Sequence, residues 1–507
     1  MTKTRKRERR HTLQRVDLGN AVGESDQALH QYYVDNQFLD MAVDSSDRRV
    51  FFLGDKGVGK SALLEMARRR LAGPKVIRLA AGDIGLGLLS NIRCFHELSL
   101  VDLGLLYRAV WDYVILISIV RKQFGTCKPP WWQRIVPGEE AEIYNLLQQT
   151  GELEQGSLKL SRAFVDILER LQVKMSASSP AGDCYGVEVS VQDKVRQDIH
   201  QMITEIRVLK HINRLRKALP RQCQHSRFYV IIDDLDDGWK NTLAQRECLK
   251  ALTRSLLKLQ HFPNVRFLVA LRSVIFRQLQ VDDPDKVRDH LVTLQWGKSD
   301  LQEIVLRRLE CQLGRSRQSI KDAVLPENVR RMSPLNFMYA YLPRHPRSHI
   351  QFMQQALDLA VKDGQKRIRA DDFKVSLQRM AEFCAEDLAF EYKTVYPGLA
   401  SILALMNQWN RELSLQQMRK AVEDVHMEAL ERENDSEFQW VREISSQSRT
   451  SEDACDEVCR ALIEVGALGV KRTRRDRPVY QPAQLPTKFT SKMWFVVSPF
   501  LAPPPLG

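Results

Sequence analysis

An α/β fold built on a parallel sheet and a phosphate loop is predicted by three stretches of this sequence. In the first, the apolar segment Val50-Phe51-Phe52-Leu53 runs into Gly54-Asp55-Lys56-Gly57-Val58-Gly59-Lys60-Ser61, which fits G-x-x-x-x-G-K-[ST] without mismatch. The second, Phe228 to Ile232, is a further apolar run that ends in Asp233, Asp234, Asp236 and Asp237. The third, Val265 to Leu271, is broken only by Arg266 and ends in Arg272. Near-continuous apolar runs of this kind mark strands of a parallel sheet covered on both faces.

The loop residues Gly54, Asp55, Lys56, Gly57, Val58, Gly59, Lys60, Ser61 and Ala62 form the expected phosphate cradle. Glycines let the backbone curl so that its N–H groups face phosphate oxygens. The helix predicted over 62–71 adds the positive end of its dipole. Lys60 serves as a point charge on the β- and γ-phosphates, and the Ser61 hydroxyl is a ligand for Mg²⁺. ATP and Mg²⁺ are therefore the expected cofactors.

The aspartates extend this chemistry. Ligands bind beyond the carboxyl ends of the strands in open α/β sheets. One carboxylate there can complete the Mg²⁺ shell and another can polarise the attacking water. Four aspartates within positions 233–237 repel one another unless a cation is near. The plain alternative is an acidic loop or helix cap. Arg272 follows the next strand and is expected beside the γ-phosphate; the alternative for it is an ordinary surface position.

In chain order, 1–20 is a basic, disordered arm and 25–42 a helix. Gly73-Pro74 breaks the chain before a short strand at 76–80. An insertion at about 100–225 is mostly helical, with helices at 103–124, 139–149 and 158–171, a β-hairpin in 173–191 and a basic amphipathic helix over 192–219. A helix at 245–259 and a last core strand at 290–296 complete a core of 21–297. Helices at 301–313, 348–361 and 371–392 make a lid of 298–394. The remainder, 395–507, carries helices at 399–410, 414–431 and 451–465, then strands at 468–471 and 494–497. Three helices followed by a strand pair resemble a winged helix, with 471–477 as its wing.

Composition narrows the classes. Among 507 residues, 44% are apolar, enough for full cores. Nine scattered cysteines and no evident leader predict free thiols in a reducing cytoplasm. Cys455 and Cys459, four apart on a predicted helix, suggest packing rather than zinc, since no second pair or histidines stand near. The most apolar run, 114–120, is too short to span a membrane and is followed by Arg121 and Lys122. The net charge of +13 is concentrated at the ends: residues 1–15 and 471–507 each carry seven Lys/Arg against one acidic residue, which leaves the body near +1.

Together, the loop, Ile231-Ile232-Asp233-Asp234-Leu235-Asp236-Asp237-Gly238-Trp239 and Leu271-Arg272-Ser273 resemble a bacterial group of P-loop ATPases related to the AAA+ and STAND classes. The resemblance covers roughly residues 24–395, and more weakly the tail. It implies that Asp233 is the Walker B residue on Mg²⁺. Asp236 and Asp237 match the second acidic pair of STAND proteins, and Asp234 matches the catalytic position of simpler ATPases; both alignments stay open. Arg272 resembles a sensor 1 arginine, and Arg347 a sensor 2 residue in the lid. That motif is usually Arg-Pro-Arg-Asp; here it is His345-Pro346-Arg347-Ser348. Arg288, just before the last core strand, is a candidate arginine finger.

The function implied is an ATP-hydrolysing switch in which binding reorients lid and winged helix and hydrolysis resets them. Analogy of architecture adds bacterial defence against phage, with a homo-oligomer and an effector protein as partners. The alternative is a DNA-associated AAA+-type ATPase that grips phosphates with 471–477 and the arm. A module whose nucleotide is only structural fits the full acidic and arginine constellation less well.

Overall fold

In the computed structural model, the segment predicted as one helix over 25–42 forms two, α1 (Leu29–Tyr32) and α2 (Gln37–Val43). Tyr33 turns to extended backbone, and Asn36 caps α2 by accepting from the N–H groups of Phe38 and Leu39. Apolar periodicity continues across this break, so the cap alone marks it. The structure describes residues 13, 17–19, 26–71, 75–80, 100–124, 216–217, 226–281, 283–432, 438–480, 486 and 488–502. The basic arm apart from residues 13 and 17–19, the elements predicted at 139–149, 158–171 and 173–191, and the 192–219 helix apart from Arg216 and Lys217 lie outside the described residues.

The chain divides into two units, one of residues 35–55 and 60–294, the other of 1–34, 56–59 and 295–507. The first holds β1 (Phe51–Leu53), α3 (Lys60–Arg70), β2 (Lys75–Ala80), α4 (Leu100–Phe124), β3 (Phe228–Asp233), α5 (Leu243–Leu259), β4 (Val265–Leu271), α6 (Ser273–Gln278), α7 (Pro284–Arg288) and β5 (Leu291–Thr293). Its five strands pair in parallel in the order β2-β3-β4-β1-β5. Every residue of β1, β3 and β4 is buried, as expected for strands covered on both faces. This is an α/β P-loop NTPase fold: a parallel sheet with helices, the phosphate loop joining β1 to α3.

The apolar run 114–120 is buried along α4, which packs on α5, and Trp111 of α4 donates its Nε1–H to the Cys248 carbonyl at 2.9 Å. Asp112 of α4 is paired with Arg216. Among the described residues, no helix is long and apolar enough to cross a membrane. β5 is shorter than predicted; Leu294 still donates to the Leu53 carbonyl at 2.8 Å, but regular pairing stops at Thr293.

The other unit continues with α8 (Lys298–Leu313), α9 (Arg317–Ala323), α10 (Pro334–Tyr341), α11 (Pro346–Lys362) and α12 (Ala370–Tyr392). A rim of Phe337, Phe352 and Phe373 fills the space between the last three. Beyond them lie α13 (Leu399–Met406), β6 (Glu412–Ser414), α14 (Leu415–Glu431), α15 (Gln439–Gln447), α16 (Ser451–Glu464), β7 (Leu468–Lys471), β8 (Val479–Tyr480) and β9 (Trp494–Val497). The strand pair expected here is a four-stranded sheet, ordered β6-β9-β7-β8 and antiparallel. Strands of two or three residues such as β8 and β6 leave no readable alternation. Cys455 and Cys459 are buried on α16, and burial raises both thiols above their ordinary range.

The N-terminal segment is tied into this unit by a buried polar cluster. Arg308 of α8 donates to Asp26 Oδ2 at 3.2 Å and to the Leu18 carbonyl at 2.5 Å, and its guanidinium lies 4.2 Å from the Tyr32 ring centroid. Asp26 also accepts from the Tyr32 hydroxyl. Asp26 and Arg308 are each under 6% exposed, so removing one leaves the other buried without its charge partner. Arg308→Ala is expected to destabilise the chain by about 3 kcal/mol, read as a lower denaturation midpoint. A midpoint equal to that of the wild type would remove this cluster from the list of fold-determining contacts.

Candidate nucleotide-binding site

Strands β3, β4 and β1 lie side by side, so the loops that leave their carboxyl ends share one edge of the sheet. Register brings Leu53 opposite Leu271, and Ile232 opposite Val269. Gly54 and Asp55 follow β1, Asp233 closes β3 and Arg272 follows β4. The Ser273 N–H donates to the Gly54 carbonyl at 3.4 Å, so the β4 end touches the start of the phosphate loop.

Asp233 is 5% exposed, and its Oδ1 accepts from the Asp234 N–H at 2.9 Å. Asp234 adopts φ +58°, a left-handed backbone that Asp tolerates better than most residues. The turn closes through Asp237 N–H to the Asp234 carbonyl (3.1 Å) and Trp239 N–H to the Asp236 carbonyl (3.2 Å). Asp236 is ion-paired with Arg272, and Asp234 Oδ2 lies 3.8 Å from Arg78 Nη2. Asp237 is exposed.

Two residues of this site escaped sequence reasoning. Arg78 sits on edge strand β2, whose register sets Ala80 beside Asp233. Gln245, fully buried in the first turn of α5, donates to the Gly238 carbonyl (3.0 Å) and accepts from the Lys240 N–H (2.8 Å). Its capping-box partner Thr242 was the available signal.

In the same unit, Lys60 opens α3 and its ammonium donates to the carbonyls of Gly54 (2.8 Å) and Asp55 (3.1 Å). Ser61 follows in the first turn of α3. Arg288 lies on α7, exposed and 3.4 Å from Asp285.

Residues 56–59 belong to the other unit. Gly57 and Gly59 have φ +83° and +95°, conformations that glycine alone adopts without cost. The Gly57 carbonyl accepts from the Arg347 N–H at 3.4 Å, and a Cβ on Gly57 would stand 3.0 Å from Arg347 Cβ. Trp296 Nε1–H donates to the Val58 carbonyl at 2.7 Å. Arg347 follows Pro346 at the start of α11, and among the described residues its buried Nε has no hydrogen-bond partner. His349, on the next turn, is buried, and burial with His345 nearby pushes its imidazole down to about 3, so it brings no charge. Lys56 is held by α12 through Asp387, Phe390 and Glu391.

These residues fit a magnesium nucleotide. Two left-handed glycines, a lysine and a helix start suit phosphate oxygens. Ser61 and Asp233 offer the hard oxygen ligands that Mg²⁺ takes beside phosphate.

The basic turn corrects one expectation. Lys471 is buried and paired with Glu412 of β6 at 2.8 Å, so it is not an available cation. Arg472, Arg474, Arg475 and Arg477 are exposed, and the Arg474 guanidinium lies 4.7 Å from the Trp494 ring centroid. The Thr473 N–H and hydroxyl both donate to Asp476.

Residues 299–389 match a family model described as a FunZ-associated C-terminal helical domain. The chain is 19% identical over 252 residues to a putative transposon gamma-delta 80.3 kDa protein of Escherichia coli (strain K12). That match takes in 48% of this chain and 34% of the relative, so the chain spans about a third of its length. Among solved structures, the Aeropyrum pernix ORC2 protein in ADPNP-ADP complexes is similar at 11% identity, covering 94% of both chains with a TM-score of 0.40. Cdc6p from Pyrobaculum aerophilum follows at 11%, covering 94% of this chain and 91% of that one, with a TM-score of 0.28. Drosophila ORC bound to DNA is similar at 10%, over 90% and 80%, with a TM-score of 0.29. The fold rests on the strand order and the phosphate loop rather than on these scores.

Gly57→Ala tests the loop. The left-handed backbone and the nearby Arg347 Cβ both oppose a side chain there, and the strain is on the order of 1–2 kcal/mol. ATP affinity measured by calorimetry is expected to fall about tenfold, with the circular dichroism spectrum unchanged. Unaltered affinity would show that the left-handed turn at Gly57 is dispensable.

Proposed function

We propose that this chain binds Mg²⁺-ATP on residues 54–62 and hydrolyses it, as a nucleotide-driven switch. The observation that carries the reading is the loop itself: left-handed Gly57 and Gly59 lead into Lys60 at the start of α3, on the sheet edge that also carries buried Asp233. Bound Mg²⁺ would neutralise charge on the phosphate oxygens. Ser61 and Asp233 hold it, and Lys60 exchanges the Gly54 and Asp55 carbonyls for phosphate. Asp234 orients and polarises the attacking water. Asp236 is engaged by Arg272, which suits it to positioning that arginine. Arg347 offers its buried Nε to the nucleotide phosphates.

Residues 298–394 act as a lid and 395–507 as a winged-helix-like domain that follows it. An effector protein, and further copies of this chain, would read the switch; anti-phage defence is the setting that the architecture suggests by analogy. The experiment is ATP turnover and binding by the full chain and two variants. Asp234→Asn is expected to keep ATP binding and to lose turnover by about a hundredfold or more. Lys60→Ala loses binding itself. Equal ATP affinity in wild type and Lys60→Ala would sink the nucleotide reading. A larger turnover loss in Asp236→Asn than in Asp234→Asn would move the catalytic role to the second acidic pair.

A second reading, a DNA-associated ATPase, is favoured by the exposed arginines of the 471–477 turn and by a relative named for a transposon. The N-terminal arm would add to that grip. Binding to duplex DNA would then weaken with salt at a log–log slope of about −0.9 per neutralised phosphate. Replacing Arg472, Arg474 and Arg475 with Ala should flatten that slope by roughly two to three units and leave ATP turnover unchanged. The absence of any salt-sensitive binding by the wild type would leave the switch reading alone.

A further inference from the structure

Lys56 stands at the second variable position of the loop motif, where the motif asks for no particular side chain. The structure nevertheless holds it in three ways. Its backbone N–H donates to Glu391 Oε1 at 2.9 Å, its ammonium donates to Asp387 Oδ1 at 2.8 Å, and the ammonium lies 5.2 Å from the Phe390 ring centroid. All three partners lie on the last two turns of α12.

The chemistry of these contacts resembles that of a phosphate. A loop N–H and a lysine ammonium are the donors that a phosphate oxygen takes. Here two carboxylates take them instead. Lys56 and Asp387 both keep solvent, at 31% and 56% exposure, so their pair is weak and exchangeable. The four-carbon stem of a lysine lets its ammonium move without moving the loop. Beside the contact is an open cavity of about 540 Å³ lined by Gln351, Gln355, Met380, Phe383, Glu386 and the two clasp residues Asp387 and Phe390, so the freed end of α12 has room to shift.

We propose that Lys56 is a specificity-determining lysine for the terminal phosphate of a nucleoside triphosphate, with Asp387 and Glu391 as positioning residues that hold it until that phosphate arrives. The inference rests on the reading of residues 54–62 as a nucleotide site. A triphosphate carries one more negative charge than a diphosphate and so competes better with the two carboxylates for Lys56. When it binds, Lys56 changes partner and the end of α12 is released. A diphosphate leaves the clasp closed.

The test is calorimetric titration of the full chain with Mg²⁺-AMP-PNP and Mg²⁺-ADP. In Asp387→Asn/Glu391→Gln, AMP-PNP is expected to bind about fivefold tighter while ADP changes less than about twofold. Lys56→Ala should bind AMP-PNP more weakly and bring the two affinities together, and Lys56→Arg should keep the preference for AMP-PNP. A merely structural clasp would shift both nucleotides alike in the double variant, or leave the Lys56→Ala ratio at its wild-type value, and either result overturns the proposal. If no variant and no wild-type sample binds either nucleotide, the nucleotide reading itself fails and the clasp with it.

Discussion

A carboxylate buried at the end of a strand has to be answered by donors, and much of the sheet edge follows from that need. Asp233 is 5% exposed, in a setting where an unanswered charge costs several kcal/mol. One answer is the N–H of the next residue, which the left-handed turn at Asp234 brings to Oδ1. That turn is held by Gln245, which also closes the capping box of α5. The helix that packs on α4 is therefore the helix that fixes the acidic turn. Arg78 of β2 and Arg272, just past β4, face the remaining repulsion at Asp234 and Asp236.

The second unit meets a different constraint. Residues 56–59 carry two left-handed glycines and are held by the Arg347 N–H of α11, by side chains of α12 and by Trp296. From the end of α12 the packing continues without a gap. Tyr392 stacks on Tyr396 with centroids 6.3 Å apart, and Tyr396 lies 4.8 Å from Trp440 of α15. The Tyr396 hydroxyl donates to Glu464 of α16 at 2.8 Å, and Trp440 Nε1–H donates to the Pro397 carbonyl at 2.8 Å. Contiguous packing of this kind is one route by which energetic coupling travels. This route joins the residues that hold Lys56 to the helices beside the antiparallel sheet.

What the sequence made legible divides along physical lines. Strands β3 and β4 were visible as long, largely apolar runs, and the bounds of β4 match those read from its residues. The phosphate loop and the acidic cluster were visible because each is local in sequence. The break between α1 and α2 was hidden by periodicity that runs through it, and β6 and β8 are too short to have any. Partners distant in sequence were beyond reach. Arg78 for Asp234, Asp387 and Glu391 for Lys56, and Glu412 for Lys471 meet only through tertiary approach. The pairing of Arg272 with Asp236 follows from the adjacency of β3 and β4, which the residue pattern alone leaves undetermined.

The same distinction bears on the basic turn. Counted in sequence, residues 471–477 offer five cations. In the fold, Lys471 joins β7 to β6 through Glu412, and Arg474 lies over Trp494 of β9. Lys471 is therefore spent inside the antiparallel sheet, whereas Arg472, Arg474, Arg475 and Arg477 stay exposed, Arg474 against the Trp494 ring. Counterion release scales with the number of phosphates neutralised, so one copy of this turn supports only a shallow salt dependence and weak attachment. Firm attachment to a polyanion would need other cations, such as the N-terminal arm, or several copies held together, where linkage multiplies weak contacts. On the DNA reading, the arm or several linked copies would therefore have to supply the cations that one turn lacks.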